Sequence, residues 1–148
     1  LQNLNIAFAY QDLSEEIIRM FIEKYKVHKK LSIIDWNRIS QYQILSEDFI
    51  REFKDKVNWE CISQYQTLSE DFISEFKDKV DWNSISRYQK LSEEFIEEFK
   101  NKIYWNKLFK YNEKVNLSKE FKRKYIWVAQ LCNELLQLSD DLLINGEE

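Results

Sequence analysis

"SQYQILSEDFIREFKDKVNW" (Ser40–Trp59) is followed by "SQYQTLSEDFISEFKDKVDW" (Ser63–Trp82) and by "SRYQKLSEEFIEEFKNKIYW" (Ser86–Trp105). These three near-copies decide the fold class. Trp36, Trp59, Trp82 and Trp105 recur every 23 residues. A fixed period in this range marks a stacked repeat, in which each unit hides its apolar face on its neighbours.

Each unit reads as two short helices. In helix A, Ile39, Ile62, Ile85 and Leu108 follow the Trp by three, and Tyr42, Tyr65, Tyr88 and Tyr111 follow it by six. Steps of three predict that Trp, Ile and Tyr share one side of the helix. Leu-Ser-Glu then opens helix B at Ser46, Ser69 and Ser92, with Ser as N-cap and acids in the first turn, where the helix dipole favours them. Leu45 with Ile50 forms a hydrophobic staple, and Phe49, Ile50, Phe53 and Val57 give helix B one apolar face. Glu52–Lys56, Glu75–Lys79 and Glu98–Lys102 read as i,i+4 pairs. Helix B is expected to end near Lys54–Lys56, since Asp35, Asn58 and Asp81 are ready to cap the next helix A. Helices of about two turns are marginal alone, so stacking must hold them, with Trp and the two Phe as inter-unit filling.

The flanks are degenerate copies. "YQDLSEEIIRMF" (Tyr10–Phe21) matches Tyr42–Phe53, with Leu4 in the Trp slot and extra residues around Lys24–Ser32. "WNKLFKY" (Trp105–Tyr111) opens a last unit whose Leu117-Ser118 comes three residues late. "LQLSDDLL" (Leu136–Leu143) reads as the remnant of a sixth unit, and Leu131, Leu135, Leu138 and Leu142 as a stripe that caps the stack. The expectation is one all-α solenoid domain over 1–148, of five to six short helix-turn-helix repeats. Residues 1–35 form a degenerate repeat with an insert, 36–104 three regular repeats, and 105–148 a degenerate repeat and cap.

Composition agrees. Apolar residues make up 44% and aromatic residues 16%, which excludes a disordered chain. One Gly and no Pro disfavour a hairpin-rich β fold. No membrane span or signal peptide is legible, and the start at Leu1 rather than Met reads as a trimmed or partial chain. Cys61 and Cys132 lie outside any CxxC spacing, as expected of reduced thiols in a cytoplasmic protein.

The pattern W-x-x-I-S-x-Y-Q-x-L-S-E-x-F-I-x-x-F-x-x-K-V, close over Trp36–Tyr104, resembles short tandem repeats of uncharacterised giant-virus and bacteriophage proteins. The resemblance implies a viral or phage origin, hence host cytoplasm, and a role against host machinery. It carries no catalytic or ligand residues.

Chemistry is scarce. His28, the one histidine, has no companion nucleophile nearby in sequence, and one His with two distant Cys is a poor zinc set. The acidic pairs Glu47-Asp48 and Glu70-Asp71 follow capping serines, so dipole complementation accounts for them better than catalysis. The sole glycine, Gly146, rules out a Gly-rich phosphate loop. The expectation is therefore no enzyme, no cofactor and no metal.

The recurrent Ser40, Ser63 and Ser86, with Gln43, Gln66 and Gln89, are expected to close the A–B turn or the junction between units. Function is sought where the copies differ. On helix A, the slot of Asn37, Glu60, Asn83 and Asn106 and the slot of Gln41, Gln64, Arg87 and Lys110 are read as outward, opposite the Trp–Ile–Tyr side. Candidate protein-binding residues are Arg38, Gln41, Glu60, Gln64, Asn83, Arg87, Lys107 and Lys110. The leading reading is a protein-interaction module whose partner is a host protein or complex. A sharper form is a viral or phage inhibitor of a host defence complex such as a CRISPR effector. The alternative is nucleic-acid binding through Lys114, Lys119, Lys122, Arg123 and Lys124, in a stretch (105–126) with seven basic and two acidic residues. A solvated face balanced by the acidic tail is the plainer account of that block.

Overall fold

The computed structural model describes residues 12–27 and 34–144, with side chains over 12–26 and 34–131. Nine α-helices and no strand occur among the described residues. They are α1 (Glu15–Val27), α2 (Trp36–Tyr42), α3 (Glu47–Glu52), α4 (Trp59–Tyr65), α5 (Glu70–Glu75), α6 (Trp82–Tyr88), α7 (Glu93–Glu98), α8 (Trp105–Tyr111) and α9 (Lys119–Ile144). This is the all-α, solenoid-type repeat expected: α2/α3, α4/α5, α6/α7 and α8/α9 are successive A/B pairs, and α1 is helix B of the degenerate first unit. Leu4, Tyr10 and His28 lie outside the described residues. Two compact parts divide the chain, Leu1–Asp81 and Trp82–Glu148. In the first, α2 packs on α4; in the second, α6 packs on α8 and α8 on α9.

Local chemistry sets the helix limits. Asp35 and Asn58 accept from the amides of Arg38 and Cys61 at 3.1 and 3.0 Å, starting α2 and α4. Ser46, Ser69 and Ser92 do the same for Phe49, Phe72 and Phe95. Helix B stops earlier than Lys54: Phe53 adopts φ −109° and ψ 26°, and its carbonyl accepts from both Lys56 and Val57. Phe53 keeps φ negative, so this helix exit needs no glycine. Glu52 and Glu75 are held by Arg19 and Arg51 of the preceding helix B, at 2.9 and 2.8 Å. The expected Glu52–Lys56 helical pair gives way because residues 53–56 have already left the helix.

Side-chain hydrogen bonds join one pair to the next. Gln66 donates to the carbonyls of Ser40 and Gln43 at 2.9 and 2.8 Å and accepts from the Leu45 amide at 3.0 Å. In the second part, Asn112 stands in the same slot and donates to Ser86 and Gln89 carbonyls at 2.8 and 2.9 Å. Ser40, Ser63 and Ser86 each accept at 2.9 Å from a residue of the following A-helix entrance, Asn58, Asp81 and Tyr104. Glu47 accepts from the Ser69 amide at 2.6 Å, and Glu93 from the Ser118 amide. Glu15, Glu47 and Glu93, each the first acid after a Ser, thus do more than complement their own dipoles; they tie down the next cap. The junction role expected for the repeated Ser and Gln holds.

The core differs from expectation in three places. Ile39, Ile62, Ile85 and Leu108 are buried, as are Phe49, Ile50, Phe72 and Ile73. The tryptophans, however, pack mainly on helix B of their own pair: Trp36 lies 5.2 Å from Phe53, and Trp59 lies 4.9 Å from Phe76. The indole N–H groups of Trp59 and Trp105 reach the preceding unit, donating to the Lys54 and Lys100 carbonyls at 2.9 and 3.2 Å. The tyrosines are not core at all. Tyr42, Tyr65 and Tyr111 are 48%, 49% and 41% exposed. Third, α9 runs unbroken through Leu136–Leu143, so no sixth hairpin forms there. Phe121, Tyr125 and Ala129 face inward, whereas Leu131 is 47% exposed and does not cap; the side chains of Leu135, Leu138 and Leu142 lie outside the described residues.

Candidate interaction face

Helix geometry explains where each A-helix slot points. At about 100° per residue, the Ser and Gln of the repeat lie within about 40° of the Trp direction, and Ile at about 300°. The Tyr, six residues on, has drifted to about 240°. Steps of three therefore carry the Tyr out of the buried sector, beside the Arg38 slot at about 200° and the Gln41 slot at about 140°. The outward surface of helix A is aromatic as well as polar.

In the first part, α2 and α4 present Tyr42 and Tyr65. Glu60 is exposed, while Arg38, Gln41 and Gln64 are half-buried. Arg38 is held by Asp35 at 3.1 Å. Asn37, in the Glu60 slot, accepts from the Asn58 side chain at 2.8 Å, so that slot has a structural duty at this step.

In the second part, the remaining candidates converge. Arg87 is half-buried, its guanidinium carbon 5.0 Å from the centre of the Tyr88 ring and 4.7 Å from that of Tyr111. The ammonium groups of Lys107 and Lys110 lie 5.4 and 5.1 Å from the same Tyr111 ring. Asn83 is half-buried on α6, and no hydrogen bond or ion pair joins it to this cluster among the described residues. The Lys110 side chain at the phenol holds the Tyr111 hydroxyl below the ordinary tyrosine range, with Lys107 and Arg87 adding to the effect. Arg19, Arg38 and Arg51 each meet a carboxylate, yet none pairs with Arg87, Lys107 or Lys110 among the described residues.

The basic block is less concentrated. Lys114, Lys119, Lys122 and Arg123 are exposed, spread over the loop before α9 and its first turns. Lys124 bonds one oxygen of Glu97 at 2.5 Å, and Tyr125 donates to the other at 2.5 Å. Sequence reading missed the exposed apolar group on α9, where Trp127 is 59% exposed beside Ile126. Trp127 falls outside the 23-residue register, which is the signal that sets it apart from the packed tryptophans.

No group of three His, Cys, Asp or Glu among the described residues is placed to hold a metal ion. Cys61 is half-buried, and burial raises its thiol, with Glu60 reinforcing the shift. None of the helices searched is long and apolar enough to cross a membrane. Compared with models of protein families, with curated proteins and with solved structures, the chain matches none.

Proposed function

We propose that the chain is a non-enzymatic protein-interaction module that docks a macromolecular partner on the outward surface of its A helices. One observation carries this reading: three of the four A helices, α2, α4 and α8, end in an exposed tyrosine, Tyr42, Tyr65 and Tyr111, next to the slots where the copies differ, while Tyr88 at the end of α6 is half-buried. Tyr offers a large rigid contact area with a polar tip and is enriched at interfaces. The repeated Ser, Gln and Glu are occupied in holding the units together, so specificity falls to the variable positions. A viral or phage inhibitor of a host defence complex is the narrower form of this reading, supported by the resemblance of the repeat alone.

The test is co-purification from host extract with wild type, Arg87→Glu/Lys110→Glu and Lys122→Glu/Arg123→Glu as baits. A protein held by wild type and by the second variant but lost from the first is the expected result. Retention by the first variant, with its helical signal and melting temperature unchanged, removes the A-helix face. Nucleic-acid binding is the second reading, supported by Lys122 and Arg123, which are exposed and make no ion pair among the described residues. It requires affinity that falls steeply with salt and is lost on reversing those two charges; a flat salt response removes it.

A further inference from the structure

Three positive side chains gather on one phenol ring in the second part of the chain, and nothing among the described residues neutralises them. Arg87 rises from α6, and Lys107 and Lys110 lie one turn apart on α8. The Arg87 guanidinium lies close to two rings, Tyr88 and Tyr111, yet it makes no ion pair of the kind that holds Arg19, Arg38 and Arg51. A guanidinium steadied by rings keeps its N–H edge for an oxyanion, since aromatic contact uses the faces and hydrogen bonding uses the rim.

We infer that this cluster receives a short acidic segment of the protein partner, whose carboxylates meet Arg87, Lys107 and Lys110 while its backbone and side chains lie against Tyr88 and Tyr111. The inference rests on the A-helix reading and names the chemistry of the occupant. Three features favour spaced carboxylates over a nucleic-acid strand. The cations form a compact group on two helices, not a track along a groove. Tyrosine surfaces flanking them suit peptide packing. The chain carries a net charge of −4, which opposes a long polyanion while leaving a local cationic group attractive to a short one.

The test uses the full 148-residue chain and a short polyglutamate peptide, with a single-stranded oligonucleotide of equal charge as the second arm. Calorimetry is expected to show peptide binding that weakens about ten-fold or more in Arg87→Gln/Lys110→Gln. Lys122→Gln/Arg123→Gln should bind as wild type. Tyr111 supplies a local reporter: carboxylates that neutralise its cations should move its phenol titration, followed by ultraviolet absorbance, back up toward the ordinary range. Tyr111→Phe identifies that transition by removing it.

The inference is overturned if the peptide does not bind, if Arg87→Gln/Lys110→Gln binds it unchanged, or if the oligonucleotide binds more tightly through the same residues. Its failure is separable from that of the interaction face. Loss of the host protein by the Arg87→Glu/Lys110→Glu bait, without peptide binding by wild type, keeps the face and rejects the acidic occupant. Retention of the host protein together with peptide binding keeps an acid-binding cluster but rejects it as the seat of that partner.

Discussion

Gln66 makes three hydrogen bonds from one amide, to two carbonyls and one N–H of the preceding pair, and is itself buried. Leucine at this position keeps the volume but leaves those backbone groups unpaired away from water. Gln66→Leu is therefore expected to cost about 3 kcal/mol in urea denaturation, several times the cost of Gln64→Leu on the outer surface. Ser63→Ala removes the acceptor of the Asp81 amide, for an expected loss of about 1–2 kcal/mol. Trp59 is only half-buried, so Trp59→Ala should cost about 2 kcal/mol, less than truncation of a fully enclosed ring. The junction duty of these polar residues was legible, because identical letters at a fixed period in a scaffold mean identical surroundings. Which backbone groups each one meets was not, since that depends on how far one pair is offset from the next.

Among elements, the B helices carry a diagonal of charge between neighbours. Arg19 meets Glu52 and Arg51 meets Glu75, whereas Glu97, in the arginine slot, meets Lys124 in the glutamate slot. The geometry persists while the signs reverse, so these variable positions are complementary pairs. Lys124, followed by Tyr125, holds the Glu97 carboxyl below its usual value. A depressed carboxyl adds stability above its unfolded value and loses it as pH falls through the folded one. Glu97→Gln should therefore flatten the acid side of the urea-midpoint profile while altering the neutral region little. The caps and the short helices could be read directly from Leu-Ser-Glu and from Asp35 and Asn58 before Trp36 and Trp59. The outward tyrosines could not be read from spacing counted in threes; the drift of the helix had to be followed by angle. The continuity of α9 across Leu-Ser-Asp shows that a cap sequence starts a helix only where a preceding turn lets it.

For the whole molecule, the fold was legible and the partner was not, for one reason. Packing demands recur every 23 residues and so repeat in the sequence, while a binding demand occurs once and leaves no internal copy. Contacts between successive pairs also bear on hydrogen exchange. The Leu45 and Asn58 amides, bound by Gln66 and Ser40, should exchange more slowly than amides of the exposed 113–116 loop, as read by mass spectrometry. Gln66, Ser63 and Glu47 each bond backbone groups of an adjoining pair. A unit is thus a transposable part, indifferent to how many others precede it. A chain in which residues 59–81 occur twice should keep its helical signal per residue. Near-identical copies are also where a gene most easily gains or loses length by misaligned recombination, so this scaffold lets the binding surface be lengthened without being redesigned.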